Sequence, residues 1–172
     1  MSAVHHPYIS LARQSIHHYL THEAKLPCPA PLTGDLQAQS GAFVSIKKNS
    51  QLRGCIGTLE PCQKNLAEEI IENALKAALH DPRFSPVTRD ELPELTLSID
   101  VVRPMEAISD VSELDPKVYG LVVKSSGKQG VLLPDLEGVD SAEEQIRICR
   151  KKGSINENDP IELYRFKVDR FH

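Results

Sequence analysis

The stretch Gly41-Ala-Phe-Val-Ser-Ile-Lys-Lys-Asn-Ser-Gln-Leu-Arg-Gly-Cys-Ile-Gly-Thr-Leu-Glu-Pro61 decides how the chain is put together. Residues 41–46 read as a strand and residues 52–56 as the returning strand, on either side of Asn49-Ser50, a pair that favours a tight turn. Two short strands joined by so few residues must pair antiparallel. Further along, Leu95, Leu97, Ile99 and Val101 alternate with Thr96, Ser98 and Asp100, the pattern of a half-buried strand ended by Arg103-Pro104. Residues 121–124 and 131–133 flank Ser125-Ser126-Gly127-Lys128-Gln129-Gly130 and read as a second hairpin-like pair, and residues 163–171 read as a last strand. Helices lie between these strands without a regular strand–helix repeat, so the fold class is α+β rather than α/β.

Three helices are expected. Ile9, Ala12, Ile16, Tyr19 and Leu20 recur at spacings of three and four, which predicts a helix ending near Thr21. Residues 66–79 place apolar side chains at 66, 70, 74 and 78 and at 67, 71, 75 and 78 among strong helix formers, and Asp81-Pro82 stops the helix. Residues 141–152 start with Ser141 and Glu144 at capping-box spacing and end at Gly153. The cations Arg147, Arg150, Lys151 and Lys152 in that helix's second half suit the negative end of its dipole better than a phosphate site. Residues 27–40, with Pro27, Pro29, Pro31 and Gly34, form a loop.

Composition narrows the function. With 172 residues, 40% of them hydrophobic, the chain is long enough to bury roughly 70% of its unfolded surface around one core or two lobes. Twenty basic against 24 acidic residues leave a net charge of −4, and there is no Trp and only 5% aromatic content. Neither a basic face nor an aromatic stacking platform is available, so nucleic acid is not an expected partner. No apolar run approaches the ~18 residues of a membrane span, and the opening Met-Ser-Ala-Val-His-His-Pro has no secretory pattern. Cys28, Cys55, Cys62 and Cys149 lie at spacings unlike a structural zinc site. A cytoplasmic chain with reduced thiols is expected, with no cofactor and no metal; a site built from Cys55, Cys62 and His80 has no diagnostic spacing. His18 and His22 sit one helical turn apart and read as a solvated face.

Chemistry concentrates in residues 51–61. Arg53, Cys55, Thr58 and Glu60 stand among Gly54 and Gly57, which permit close approach of a ligand or another backbone. Arg53 folded over the sulfur would favour the thiolate, but 53 and 55 share a face only if the strand is regular through Gly54. A buried, inert thiol is an equally good reading. His80-Asp-Pro-Arg-Phe-Ser-Pro-Val87 follows the 66–79 helix. His80 would serve Cys55 as a base if the helix folds back onto the hairpin; otherwise Asp81 and Arg83 pair with each other while Phe84 anchors the loop.

Leu52-Arg-Gly-Cys-Ile-Gly-Thr58 closely resembles the signature of the AMMECR family, whose prokaryotic members are called AmmeMemoRadiSam system protein A. Leu11-Ala-Arg13, Gly41-Ala-Phe-Val44, Asp81-Pro-Arg-Phe84, Glu91-Leu-Pro-Glu-Leu95, Gly127-Lys-Gln-Gly130, Leu133-Pro134 and Leu163-Tyr-Arg-Phe166 match in the family's order. The resemblance implies a compact two-lobed α+β fold, mostly antiparallel sheet with flanking helices, in one domain over 1–172. A smaller lobe would cover 37–94 and a larger one 1–36 plus 95–172, with the signature and the 81–84 loop near the cleft between them. It implies an association with Memo-like and radical SAM proteins and no settled activity. The candidate ligand-binding residues that it implies are Arg53, Gly54, Ile56, Gly57, Thr58, Asp81, Arg83 and Phe84.

Two functions compete. In an enzyme or enzyme subunit, Cys55 would be the nucleophile, Arg53 would hold an anionic group, and amides near Gly57 and Thr58 would stabilise developing charge. In a non-catalytic module the same cleft would bind a small molecule or a segment of a partner.

Overall fold

In the computed structural model, which describes residues 5–172, Pro7 opens the first helix, α1 (Pro7–His22). A proline is tolerated there because the first turn's amides have no helical partner, and the His6 ring nitrogen accepts one of them, from Tyr8, at 3.3 Å. Ile9, Ala12 and Ile16 are buried, and α1 packs on α2 (Leu66–Leu79), where the Ser15 hydroxyl donates to the Ile71 carbonyl at 2.9 Å. Asn65 caps α2 by accepting from the Glu68 amide at 2.9 Å.

The helices cover a sheet whose strands run in the order β2-β1-β3-β8, with β1 (Ala42–Lys48), β2 (Gln51–Gly57), β3 (Leu95–Val102) and β8 (Val168–Phe171). Alternation divides its faces. Ala42, Val44, Ile46, Leu97 and Ile99 are buried in one core with α1 and α2. The opposite face carries Ser45, with Cys55 and Ser98 as its cross-strand neighbours, and Phe43, with Gly57 and Asp100 as its own. Arg170 of β8 donates to both carboxylate oxygens of Asp100, at 2.7 and 2.9 Å, tying the last strand to β3.

A second sheet runs β4-β7-β5-β6, with β4 (Glu106–Ile108), β5 (Gly120–Ser125), β6 (Lys128–Leu132) and β7 (Glu162–Phe166). Helix α3 (Ala142–Lys152) packs on β5 and β6 around Leu121, Val123, Leu132 and Cys149. The cations at its end serve structure: Arg147 pairs with Glu144, Arg150 donates to the Asn156 and Asp159 carbonyls, and Lys152 donates to the Val131 carbonyl. The fold is therefore α+β, with antiparallel sheets and flanking helices as expected.

Two expectations change. The strand anticipated over 163–171 is two strands, β7 and β8, which belong to different sheets. The chain divides into one unit reaching Val102 and including Asp169–His172, and another of Arg103–Val168, rather than at 36/37 and 94/95. The reason is pairing: β3 bonds to β1 along its whole length and α1 packs on α2, so neither separates from the hairpin. Among the described residues no helix is long and apolar enough to cross a membrane.

Candidate functional site

The signature occupies β2, and its register explains where each side chain goes. Cys55 lies opposite Ser45 and Gly54 opposite Ile46, but Leu52 lies opposite Lys47, so Arg53 is the extra residue of a bulge. The bulge breaks the alternation that would have placed Arg53 beside the thiol. Its guanidinium instead donates to Glu91 through Nε at 3.0 Å and Nη2 at 3.1 Å, and to the carbonyls of Ser85 at 2.7 Å and Pro86 at 3.3 Å. Glu91 also accepts from Lys48 at 3.1 Å and from the Thr88 amide at 2.8 Å. These donors, Arg53 foremost, hold the Glu91 carboxyl down at about 2. Glu91 was missing from the sequence-level site, although Thr88 and Glu91 stand at capping-box spacing.

Asp81 is the second anchor. Its carboxylate is almost wholly buried and accepts from the Cys55 amide at 3.0 Å, from the Arg83 amide at 3.0 Å and from the Arg83 guanidinium at 3.0 and 2.8 Å. Arg83 reaches on to donate to the Cys55 carbonyl at 3.2 Å. Both backbone groups of Cys55, on the open edge of β2, are thus satisfied by an Asp–Arg pair where another strand would otherwise bond. The Arg83 hydrogen bonds hold the Asp81 carboxyl well below the usual carboxylate range, and Asp81 in turn raises Arg83. The guanidinium of Arg83 remains about half exposed, 5.4 Å from the centre of the Phe84 ring. Val87, not Phe84, roots this loop: it is buried, and its amide donates to the Ala78 carbonyl at 2.8 Å.

The glycines are packing residues. A Cβ on Gly54 would lie 2.1 Å from the Ala77 carbonyl oxygen of α2, so glycine alone lets the helix backbone rest on the strand. A Cβ on Gly57 would meet the Phe43 ring at 2.3 Å. Ile56 packs against the core at its margin. Thr58 belongs to an internal network: its hydroxyl donates to Glu69 at 2.5 Å and accepts from the Asn73 side chain at 3.2 Å. The buried Glu69 carboxylate also accepts the amides of Cys62 and Gln63, closing the loop after β2. These partners lie far from Thr58 in sequence.

Cys55 itself is half-buried, with its sulfur 3.2 Å from the Ser45 hydroxyl, so it is not sealed in the core. Ser45 was not singled out in the sequence, although it alternates with the buried Val44 and Ile46. His80 is the C-cap of α2 and exposed. The groups bonded to Cys55 atoms include Ser45, Asp81 and Arg83. Among the described residues no group of three or more His, Cys, Asp and Glu gathers as a metal site would require.

A family model, AMMECR1, matches residues 9–171. The chain belongs to the AMMECR1 family. It is 44% identical over 169 residues to a protein of Thermotoga maritima, covering 96% of this chain and 97% of that one. It is 45% identical over 166 residues to Protein CA_C1420 of Clostridium acetobutylicum, covering 95% of this chain but 35% of that longer one. The crystal structure of uncharacterized protein PH0010 from Pyrococcus horikoshii superposes with a TM-score of 0.86 at 27% identity, over 95% of this chain and 88% of that one. The AMMECR1 fold and the extent of the match agree with the resemblance read from the signature.

Proposed function

We propose that this AMMECR1-family chain is a recognition module that binds a partner segment or a small ligand on the face carrying Cys55, Ser45, Arg83 and Phe84. The observation behind this reading is that Arg53, the group an anionic substrate would need, already makes four hydrogen bonds within the chain, and Asp81 is buried under Arg83. What the hairpin and the loop after α2 offer together is a half-exposed guanidinium beside an aromatic ring, with a thiol and a hydroxyl on the strands. Such a set suits recognition of a carboxylate or carbonyl group. A Memo-like protein and a radical SAM protein are the partners this reading takes from the family resemblance, in a reducing, cytosolic setting. Co-purification from cells tests it. Cys55→Ser should retain partner and function, while Arg83→Glu should lose both with Arg83→Lys restoring them in part. Retention by Arg83→Glu would overturn the reading.

A catalytic reading has its own support in the half-buried sulfur with a hydroxyl at 3.2 Å. There Cys55 acts as nucleophile within an enzyme or enzyme subunit. Alkylation of Cys55 across pH decides between the two: a rate at neutral pH above that of an unfolded peptide thiol favours catalysis, and a rate at or below it favours recognition.

A further inference from the structure

A cavity of about 530 Å³ opens against α1, and none of its lining residues belongs to the 51–58 signature. One side is apolar, formed by Leu26 and by Leu92 and Pro93 of the 3-10 turn Arg89–Glu94. The other side is α1, which presents Arg13, Gln14, His17 and His18. The volume falls within the roughly 300–1,000 Å³ of small-molecule sites and the mixed lining is typical of them.

The electrostatics of this cavity are one-sided. Arg13 donates to two neutral carbonyls, Leu92 at 3.0 Å and Leu95 at 2.6 Å, and so uses two of a guanidinium's five N–H donors. Among the described residues it makes no ion pair, and no Asp or Glu lines the cavity. A guanidinium and the imidazoles of His17 and His18 therefore stand over an apolar wall without a counter-charge, in a chain whose net charge is −4. Two carbonyl hydrogen bonds hold Arg13 in place, so the cation is positioned before any ligand arrives.

We propose that this cavity binds a small organic anion with an apolar body, such as an aromatic or medium-chain carboxylate or sulfonate. The apolar body lies against Leu26, Leu92 and Pro93, and the anionic head meets Arg13, Gln14 and His17. The site is separate from the hairpin face and stands whether or not that face binds a partner.

The probe is 8-anilinonaphthalene-1-sulfonate, titrated into the full chain with fluorescence detection, alongside the uncharged N-phenyl-1-naphthylamine. The expected result is a saturable one-to-one rise with the sulfonate, weakened about tenfold or more both by removing the probe's charge and by His17→Glu. His17 is exposed, so its replacement should leave the thermal midpoint in place, and Gln14→Glu, also at an exposed position, should act in the same direction. An absence of saturable binding, equal binding of the uncharged probe, or an unchanged titration in both acidic variants overturns the proposal.

Discussion

The two hairpins are built on one packing device and carry different chemistry. In β1–β2, Gly54 lets the Ala77 carbonyl of α2 rest on the strand; in β5–β6, Gly130 does the same for the Cys149 carbonyl of α3, where an added Cβ would stand 1.8 Å from the oxygen. Each unit is thus a hairpin with a helix laid against the glycine of its second strand. The thiols then diverge. Cys149 is fully buried and donates to the Leu121 carbonyl at 3.6 Å, and burial pushes its pKa up to about 12. Cys55 points to the other face of its sheet, half-buried beside a hydroxyl. The lesson is that the helix–glycine contact belongs to the fold, whereas the bulge at Arg53 and the Asp81–Arg83 pair belong to the first hairpin alone.

The sharpest way to break this comparison is to label the thiols. Displacement of the Cys149 pKa from 9.0 to about 12 leaves about a thousandfold less thiolate than an ordinary cysteine has, before burial slows access further. Iodoacetamide labelling followed by peptide mass spectrometry should modify Cys62 and Cys55 in the native chain and Cys149 only on unfolding. Native labelling of Cys149 at the rate of Cys55 would remove the distinction.

The next test concerns what the hairpins share. Gly54→Ala and Gly130→Ala each force a methyl into helix backbone that cannot swing aside, at a cost of about 3 kcal/mol, or about 10 °C in the midpoint of a calorimetric melt. Similar losses would confirm one device in two places. Tolerance of Gly54→Ala would show that α2 is free to shift and that the signature glycine serves something other than packing.

A smaller effect separates the hairpins by pH. Asp81 and Glu91 both titrate below their ordinary values of 3.8 and 4.5 when folded, Glu91 at about 2. A depressed carboxyl stabilises the fold fully above its unfolded value and loses that contribution as pH falls toward the folded one. Stability should therefore be flat with respect to these groups near neutrality and decline from about pH 4.5 toward 2. Glu91→Gln should flatten that decline while lowering stability at pH 7 by about 2 kcal/mol, since Arg53 is left with a neutral acceptor. An unchanged acid limb in urea titrations would mean that the Arg53–Glu91 clamp contributes little.

Much of the fold was legible because it is written in short periods. Residues 66–79 form α2 as their spacing predicts, residues 95–102 form β3, and the turn residues Asn49-Ser50 and Ser126-Gly127 bend their hairpins through positive φ. The two strands within 163–171 were not separable, because the interruption at Lys167 leaves the alternation of apolar residues nearly intact. Less of the candidate site was legible. Arg53, Asp81, Arg83 and Thr58 were identified as polar residues in an unusual setting, but the groups they hold, Glu91, the Cys55 amide and Glu69, lie 38, 26 and 11 residues away. Phe84 was expected to anchor its loop, and Val87 does so instead.

By itself, the sequence determined the three helices, the two hairpins with their antiparallel pairing, the strand β3, the α+β class and the family, since periodicity, turn residues and an ordered set of motifs are local properties. Only the tertiary structure decided which face the thiol takes and what the signature's charges touch. A single bulged residue reverses side-chain direction along a strand, and a buried carboxylate is stabilised by donors that the folded backbone delivers from distant parts of the chain.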